Sequence, residues 1–428
     1  MLDIRLFREQ PDVVKAGLIK AHADPSAVDR VRDLDERVRA LKTEAESKKA
    51  ELNAANKSMG SISGEERDAR RAELRAAGDS IKDLDAQRSD LEKDLHKLLL
   101  EIPNLPDDRT PEGEDETANV VIRTEGEPRK FDFAPKPHWE IGEKLGILDI
   151  ERGVKISGSR FYLLKGAGAA LQRALIAYML DLHTTKHGYT EIYPPFVVKQ
   201  ECLIGTGQLP KFEDNLYHDV EDDFWLVPTA EVPVTNIHRD EILGPDALPI
   251  NYVAYTPCFR REKMSAGRDV RGIKRGHQFD KVEMVKLCPP DASDAELMSL
   301  LDNAEDVCRG LEIPYRIVQV CAGDKGFSNA MQFDVEMYAP ASKGDEGAEW
   351  LEVSSCSNFR DYQARRANLR YRPEHGAKPE FVHTLNGSGL ALPRTMIAVL
   401  ENYQNADGSV TVPAVLRGFM GGRDVIRA

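Results

Sequence analysis

The sequence is poor in cysteine, and residues 1–200 contain none. The six cysteines, at positions 202, 258, 288, 308, 321 and 356, are widely scattered, and no two of them form a Cys-x-x-Cys pair. This distribution argues against a zinc knuckle and against a disulfide framework, and it favours a reducing compartment. We therefore expect no zinc and a cytoplasmic location.

Long apolar runs are missing as well. Nowhere do about 18 apolar residues follow one another, the length that a membrane-spanning helix needs. Residues 1–10 mix acidic and basic side chains and lack the apolar centre of a signal peptide. We therefore expect neither a membrane association nor a targeting segment.

An excess of positive charge is also absent, since the formal net charge is −14 at pH 7. That balance excludes a protein that coats nucleic acid through bulk electrostatics, so any nucleic-acid contact must use local basic patches. Two common phosphate-binding patterns are missing too: no Gly-x-Gly-x-x-Gly opens a helix after a strand, and no Gly-x-x-x-x-Gly-Lys-Ser/Thr occurs. A nucleotide site in this chain must be of another kind.

A heptad pattern of apolar residues covers positions 31–59 and returns over positions 74–98. Each seam is interrupted once, by Lys48 in the first and by Arg88 in the second. Residues 60–64 between them read Gly-Ser-Ile-Ser-Gly, which marks a chain reversal. Two such helices joined by a short turn can pack against each other only in antiparallel fashion. The pattern therefore predicts a projecting coiled-coil hairpin roughly 40–50 Å long.

The rest of the 428-residue chain has a different pattern. Helical spacing is confined mainly to 169–187 and 393–403. Short β-type runs succeed one another at 252–259, 281–287, 315–320, 333–338 and 349–355. Strands that follow one another without helices favour an antiparallel sheet over a doubly wound parallel one. We predict an α+β fold, in which the coiled-coil arm precedes a domain built on an antiparallel β-sheet flanked by helices.

The predicted boundary between the two parts is a segment rich in acids, proline and glycine. Residues 103–106 read Pro-Asn-Leu-Pro, and residues 107–119 show no apolar period. We predict an N-terminal domain over residues 1–106, a linker over 107–119 and a catalytic domain over 120–428.

The segment with the most chemical information runs from Phe259 through Arg260, Arg261 and Glu262 to a polar loop and a second strand that carries Phe279. Arg260 at a strand end can present its guanidinium to a phosphate. Glu262, two residues further on the same strand face, can accept hydrogen bonds from an exocyclic amine. Phe279 can stack on a purine. Taken alone, the same pattern also fits a solvated basic β-hairpin.

These residues resemble motif 2 of the class II aminoacyl-tRNA synthetases, which reads fRxE…RxxxF. Residues 386–394, Asn-Gly-Ser-Gly-Leu-Ala-Leu-Pro-Arg, are similar to motif 3, a glycine-rich turn that leads to an arginine at the start of a helix. Residues 188–195, which end a helix and close in Pro-Pro, resemble motif 1, the dimer-forming element. The resemblance implies the class II catalytic fold and an ATP-dependent reaction.

Longer matches narrow the resemblance to the seryl-tRNA synthetases of the bacterial type. They are residues 205–212 (GTGQLPKF), 228–233 (PTAEVP), and 352–358 (EVSSCSN) with 361–366 (DYQARR). The N-terminal start, the hairpin and the Pro-Asn-Leu-Pro exit agree as well, so the resemblance spans essentially the whole chain.

The resemblance also implies the site residues. The serine-binding residues are then Thr229, Ala230, Glu231, Glu283, Asn386 and Ser388. The ATP-binding residues are Arg260, Arg261, Glu262, Phe279, Glu352, Val353, Ser354, Ser355 and Arg394. Arg260 and Arg394 are expected to act on the phosphates in catalysis, and Glu352 and Ser355 to hold Mg²⁺ through oxygen atoms.

The same family membership implies an activity and its partners. The expected activity is the activation of L-serine with ATP, followed by transfer to the 3′ end of tRNA(Ser), and also of tRNA(Sec), by a homodimer. The serine carboxylate is already a nucleophile, so positioning and charge cancellation should supply the rate. Two alternatives stay open: a non-catalytic tRNA-binding paralogue, which should have lost some of the site residues, and an amino-acid:carrier-protein ligase, which should lack the arm.

Overall fold

The computed structural model describes residues 1–58, 64–263 and 271–428, and these fall into two compact units, Met1–Pro103 and Asn104–Ala428. The first unit is helical. Its helices are α1 (Ile4–Glu9), α2 (Pro11–Lys20), α3 (Ala27–Ser58) and α4 (Glu65–Glu101). In the described ranges, no helix has the length and apolar character needed to cross a membrane.

Helices α3 and α4, which we call the helical hairpin, pack along the predicted seams. Ala45 of α3, and Ile81 and Leu84 of α4, are buried. The two polar interruptions are accommodated at the edge of the seam: Lys48 Nζ lies 3.2 Å from Ser80 Oγ of the facing helix, and Arg88 forms ion pairs within α4. The coiled-coil prediction is confirmed. The predicted turn over residues 60–64 lies mostly outside the described residues.

The second unit contains eight further helices within its described residues. They are α5 (His138–Lys144), α6 (Ile150–Ser157), α7 (Ala167–Thr185), α8 (Gln200–Thr206), α9 (Glu231–Thr235), α10 (Ser293–Leu311), α11 (Tyr362–Ala367) and α12 (Leu392–Asn402).

The strands of this unit include several of only two residues, which form small separate ladders. The short strands are β2 (Leu148–Asp149), β3 (Leu163–Leu164), β5 (Val197–Lys199), β6 (His218–Asp219), β7 (Phe224–Leu226), β8 (Ile242–Leu243), β14 (Arg370–Tyr371), β15 (Glu380–Phe381), β17 (Val410–Thr411) and β18 (Val425–Ile426). The main sheet consists of β1 (Val120–Glu125), β4 (Thr190–Ile192), β9 (Ile250–Phe259), β10 (Gln278–Cys288), β11 (Tyr315–Gln319), β12 (Met331–Ala339), β13 (Glu349–Arg360) and β16 (His383–Ala391).

The main sheet has the strand order β1-β11-β12-β13-β16-β10-β9-β4. Every neighbouring pair is antiparallel except β4 with β9. The expectation of a mainly antiparallel sheet flanked by helices is therefore confirmed. One face of the sheet packs against α7, α10 and α12 in a continuous core, in which Leu171, Leu297 and Ile397 meet Met284 and Val335.

One expectation is wrong: residues 386–391 do not form a glycine-rich turn. They belong to the central strand β16, and α12 begins immediately after it. The glycines serve close packing instead of chain reversal. A Cβ on Gly387 would lie 2.8 Å from Cys356 Sγ, and one on Gly389 would lie 2.6 Å from His183 Nε2.

Two irregularities in the sheet change the direction of side chains. The register between β12 and β13 shifts at Val353, and the register between β10 and β16 shifts at Gly389. Each shift adds one residue to one strand, so residues on either side of it change faces relative to a regular alternation.

Residues 104–119 are bound to the rest of the second unit. The Asn104 side-chain amide donates to the main-chain oxygens of Ser328 and Phe359, both at 2.9 Å. The Asp107 carboxylate accepts hydrogen bonds from Arg109 and from Arg360. Backbone bonds hold the same segment, because the N–H groups of Asn104 and Asp107 donate to the main-chain oxygens of Phe327 and Ala330, both at 2.9 Å.

Candidate active site

A cleft of about 510 Å³ lies on the sheet face opposite α7, α10 and α12. Along β10, Val282 and Met284 enter the core, so the alternating residues Lys281 and Glu283 point to the cleft. Most of the predicted site residues line it. They are Thr229, Glu231, Arg260, Glu262, Phe279, Glu283, Glu352, Val353, Ser355, Asn386, Ser388 and Arg394.

Two acidic side chains are buried at one end of the cleft. Glu231 begins α9 and is 7% exposed, and Glu283 of β10 is 2% exposed. The hydroxyl of Thr229 joins the two residues, because Oγ1 lies 3.4 Å from Glu283 Oε2 and accepts the Glu231 main-chain N–H at 3.2 Å. Across the sheet, Glu283 pairs with Ser388. This end offers two carboxylates and two hydroxyls to a small polar ligand.

The two carboxylates influence each other electrostatically. Burial, reinforced by the negative charge of Glu283, raises the pKa of Glu231 to about 7. A cation placed beside Glu231 would favour its ionised form. This end of the cleft is therefore suited to an ammonium group.

Arg260 and Phe279 form the middle of the cleft. Arg260 Nε donates to the main-chain oxygen of Pro228 at 3.1 Å, and its guanidinium carbon lies 5.1 Å from the centroid of the Phe279 ring. The hydrogen bond and the cation–π contact hold the guanidinium in place.

Glu262 lines the cleft, but not by the predicted route. We expected it on the same strand face as Arg260, whereas β9 ends at Phe259 and Glu262 has a left-handed backbone with φ of 50°. Its carboxylate lies 3.5 Å from Arg275 Nη1. The chain turns after Phe259, and this turn, not strand alternation, aims the side chain.

The bulge at Val353 explains how Glu352 and Ser355 come to share the cleft. Residues three apart on a regular strand point to opposite faces, and one extra residue brings them to the same face. Both side chains line the cleft, where Arg394 at the start of α12 donates to the main-chain oxygen of Glu352 at 2.7 Å. A second contact joins Arg394 Nη1 to Glu352 Oε2 at 3.3 Å.

Three predicted site residues do not line the cleft. Ala230 is fully buried among Val234, Ala254 and Val285. Arg261 donates to the main-chain oxygen of Leu216 at 2.7 Å and stacks over Tyr217. The Ser354 hydroxyl donates to the main-chain oxygen of Ser388 at 2.7 Å. The structure places these three behind the cleft wall.

Three polar residues beside the predicted ones were not anticipated in the sequence analysis. Lys281 Nζ lies 2.5 Å from Glu283 Oε2, and Gln363 of α11 donates to Glu231 Oε1 at 2.6 Å. The buried Asp334 pairs with Ser355 across β12 and β13. Strand alternation from Glu283 would have pointed to Lys281. Gln363 lies in the matched segment 361–366, which did not indicate its role, and no local pattern marks Asp334.

The donors around Glu352 suit a hard divalent cation. The Glu352 carboxylate and the Ser355 hydroxyl are oxygen donors, and burial together with the charge of Glu352 raises the pKa of the nearby Asp334 carboxyl. Among the described residues, no group of three or more His, Cys, Asp or Glu side chains is arranged to hold a metal. A cation here would therefore need further oxygen ligands from a bound phosphate.

Comparisons with known proteins agree over the whole chain. Residues 1–106 match the family described as "Seryl-tRNA synthetase N-terminal domain", and residues 211–403 match "tRNA synthetase class II core domain (G, H, P, S and T)". The chain is 62% identical to a serine–tRNA ligase of a Roseiflexus species, covering 100% of both chains. It is 61% identical to one from Thermomicrobium roseum, covering 100% of this chain and 95% of the relative.

A solved structure has the same fold over its full length. The seryl-tRNA synthetase from Pyrococcus horikoshii, complexed with ATP, superposes with a TM-score of 0.93 at 36% identity. The match covers 100% of this chain and 99% of that one.

Proposed function

The chain belongs to the seryl-tRNA synthetases and is a serine–tRNA ligase, and we propose that the cleft described above is the place where serine and ATP react. The observation that carries the proposal is the convergence on one cleft of two buried acids, an arginine stacked on an aromatic ring, and a second arginine beside a carboxylate. The domain boundaries that we propose for this enzyme are 1–106, 107–119 and 120–428.

Serine binds at the acidic end. Its ammonium is taken by Glu231 with Thr229, and its hydroxyl by Glu283 with Ser388, while Asn386 closes the pocket. Alanine would leave the buried Glu283 without the hydrogen bond from the serine hydroxyl, and a hydrogen bond to a charged group is worth roughly 1.5–3 kcal/mol. The pocket therefore disfavours alanine, because alanine cannot form the hydrogen bond that the serine hydroxyl makes with Glu283.

ATP occupies the remainder of the cleft. Phe279 stacks on the adenine, whose exocyclic amine donates to Glu262. Arg260 neutralises the α-phosphate, and Arg394 the γ-phosphate at the start of α12. Glu352 and Ser355 would hold Mg²⁺, which would offset charge on the phosphates. Arg261, Ala230, Val353 and Ser354 support these side chains from the cleft wall.

The protein's residues bring two reacting groups into line. The serine carboxylate oxygen attacks the α-phosphorus, a new P–O bond forms, and the bond to the β-phosphate breaks with its electron pair leaving on pyrophosphate. Arg260 faces the charge that develops on the α-phosphate, so its contribution grows in the transition state. The terminal tRNA hydroxyl then attacks the serine carbonyl, and AMP leaves.

The helical hairpin is the proposed tRNA-binding element for tRNA(Ser), and for tRNA(Sec) where it is present. Arg37, Arg39 and Lys42 on α3 are exposed, and each is paired with an acid on its own helix. The pairs of Arg37 and Lys42 are exposed on both sides, and such pairs are worth about 0–1 kcal/mol, so a phosphate can replace these two acids at small cost.

We also propose a homodimer and a cytoplasmic location. Residues 188–195 resemble the dimer-forming motif, and Tyr193 within them is 80% exposed. Ile150 and Val154 of α6 are also exposed, to 38% and 41%. A dimer interface would cover apolar side chains such as these. The six free cysteines are compatible with a reducing compartment.

The two alternatives from the sequence are disfavoured by particular observations. A non-catalytic paralogue should have lost some of the site residues. In this chain five of them are present and line one cleft: Arg260, Glu262, Glu283, Glu352 and Arg394. An amino-acid:carrier-protein ligase should lack the N-terminal arm, which is present here.

The test compares two adjacent arginines. Arg260→Ala should lower serine-dependent ATP–pyrophosphate exchange by roughly two to three orders of magnitude, the usual cost of a transition-state charge donor. Arg261→Ala, whose side chain points behind the cleft wall, should lower it much less. Equal losses would contradict the placement of Arg260 on the α-phosphate. Equal exchange with serine and with alanine would contradict the serine pocket.

A further inference from the structure

Gln363 is held in one orientation beside the acidic end of the cleft. It lies on α11 and is 1% exposed. Its side-chain nitrogen lies 3.1 Å from the main-chain oxygen of Thr206, and its oxygen accepts the Thr384 hydroxyl at 2.7 Å. A main-chain carbonyl can only accept, so the nitrogen must face Thr206. The second N–H of the same group is then directed at Glu231 Oε1, 2.6 Å away.

Lys281 stands in the same relation to the second acid. It is two residues before Glu283 on β10, so both side chains leave the strand on one face. Its ammonium nitrogen lies 2.5 Å from Glu283 Oε2, and its side chain is only 10% exposed. Each buried acid therefore has a dedicated donor that comes from outside the set of residues assigned to substrate.

The two donors act against an unfavourable arrangement. Two buried carboxylates that feel each other's charge tend to share a proton, and the protonated one no longer attracts a cation. The charged groups that face Glu231 are Glu283 and Lys281 from β10 and Arg260 after β9, and Gln363 is the neutral donor on α11. The hydrogen bond from Gln363 and the charge of Lys281 both lower the pKa of Glu231, so removing either one raises that pKa.

We propose that Gln363 and Lys281 are positioning residues for serine recognition, which hold the Glu231 and Glu283 carboxylates in separate, fixed orientations before the substrate enters. This inference rests on the proposed assignment of the two acids to serine. Neither residue touches the reacting atoms. Gln363 orients Glu231, which binds the serine ammonium. Lys281 orients Glu283, which binds the serine hydroxyl.

A purely structural role for Gln363 is the competing explanation, because the residue also ties α8 to β16 through Thr206 and Thr384. Loss of such a tie would lower stability and leave the pH dependence of serine use unchanged. Loss of the donor to Glu231 would instead raise the pH at which serine use is half maximal. The pH profile separates the two roles.

The experiment measures kcat/KM for serine in ATP–pyrophosphate exchange between pH 5.5 and 9, on the full-length protein. In Gln363→Met and in Lys281→Met, we expect the acid limb to move up by about one pH unit, a loss of roughly tenfold on the acid side that shrinks at high pH. Lys281→Arg should restore the wild-type profile. Thr384→Val, which removes only the bond to the Gln363 oxygen, is the matched control and should leave the acid limb in place.

The possible outcomes are distinct. An unshifted acid limb in Gln363→Met, or a shift of the same size in Thr384→Val, overturns the role of Gln363. An unshifted limb in Lys281→Met overturns that of Lys281. If Gln363→Met does not fold, Gln363→Asn, whose amide is one methylene too short to reach Glu231, carries the same expectation. A wild-type enzyme without serine-dependent exchange would instead refute the proposed function itself.

Discussion

The imidazole of His183 lies directly against Gly389, with Nε2 3.3 Å from the main-chain oxygen of the glycine. Gly389 is the extra residue at the bulge of β16, next to Ser388. The Gly389 carbonyl can only accept a hydrogen bond, so Nε2 of His183 carries the proton, and Nδ1 of the same ring lies 2.9 Å from His187 Nδ1. A helix on the core side of the sheet thus supports the strand that carries a proposed serine-binding residue.

Gly389→Ala should impair serine activation, because the new Cβ would lie 2.6 Å from His183 Nε2 and neither group has room to move. Overpacking of this kind typically costs about 1–3 kcal/mol. The double variant His183→Ala with Gly389→Ala should recover part of the loss. Measuring stability and pyrophosphate exchange for both single variants and the double variant gives the coupling directly. Additive effects would contradict the contact.

Shortening the helical hairpin should separate the two half-reactions. Replacing residues 44–87 by a short Gly/Ser link keeps the ion pair of Arg8 with Asp35 in the first unit and removes the outer part of α3 and α4. Serine-dependent pyrophosphate exchange should survive, and tRNA charging should fall by at least about tenfold because phosphate contacts are lost. Both activities are measured at matched salt on the same preparation. Charging at the wild-type rate would refute the tRNA-binding role.

Acid should destabilise the second unit through His183, which is buried, and His383, which is partly buried. Burial lowers the pKa of His183 and of His383 to about 4 each, below the usual value near 6.5. The unfolded chain therefore binds protons more readily between these values, so this stability is complete above about pH 6.5 and is lost as the pH falls toward 4. Each histidine should cost about 2 kcal/mol at pH 5.

Tryptophan fluorescence during urea unfolding at pH 8 and pH 5 checks this prediction, since Trp139, Trp225 and Trp350 all lie in the second unit. His383→Gln should reduce the difference between the two pH values. His22→Asn, at an exposed position with φ of 52° that asparagine tolerates, is the control and should not reduce it.

Asp107→Asn should lower the stability of the second unit without affecting catalysis. Asp107 is buried, holds Arg109 and Arg360, and does not line the cleft. Loss of a charge-assisted acceptor at such a position costs about 1–3 kcal/mol. Urea unfolding measures the loss, and pyrophosphate exchange at 25 °C should stay at the wild-type level. Asp108→Asn at the exposed neighbouring position should have little effect on either quantity.

Local patterns predicted much of this fold. The heptad seams of α3 and α4 need only neighbours within one turn to be recognised, and the β-type runs correspond to β9 to β13 with small differences at their ends. The glycine-rich segment was misread because glycine is favoured both in turns and where two surfaces approach closely. The structure distinguishes the two uses of glycine, because Cys356 lies against Gly387 and His183 lies against Gly389.

Site residues that belong to a family motif could be predicted from the sequence. Those whose orientation depends on the register of the sheet strands could not. The bulge at Val353 depends on the register of β13 against β12, which no local pattern records. Gln363 reaches Glu231 across 132 residues of sequence. Contacts of this kind exist only once the strands between them are in place.

The position of β1 at the edge of the sheet has a consequence for synthesis. β1 pairs with β11, which follows it by about 195 residues, so at the usual pace of translation the partner strand emerges roughly 10 to 40 s later. Until then Val120, Val121 and Ile122 lack the strand that they border in the finished sheet. The helical hairpin does not depend on a distant segment, because α3 can pack against α4 as soon as α4 has left the ribosome. The nascent chain therefore completes its proposed tRNA-binding element long before its catalytic sheet can close, and this interval is when a chaperone would protect it most.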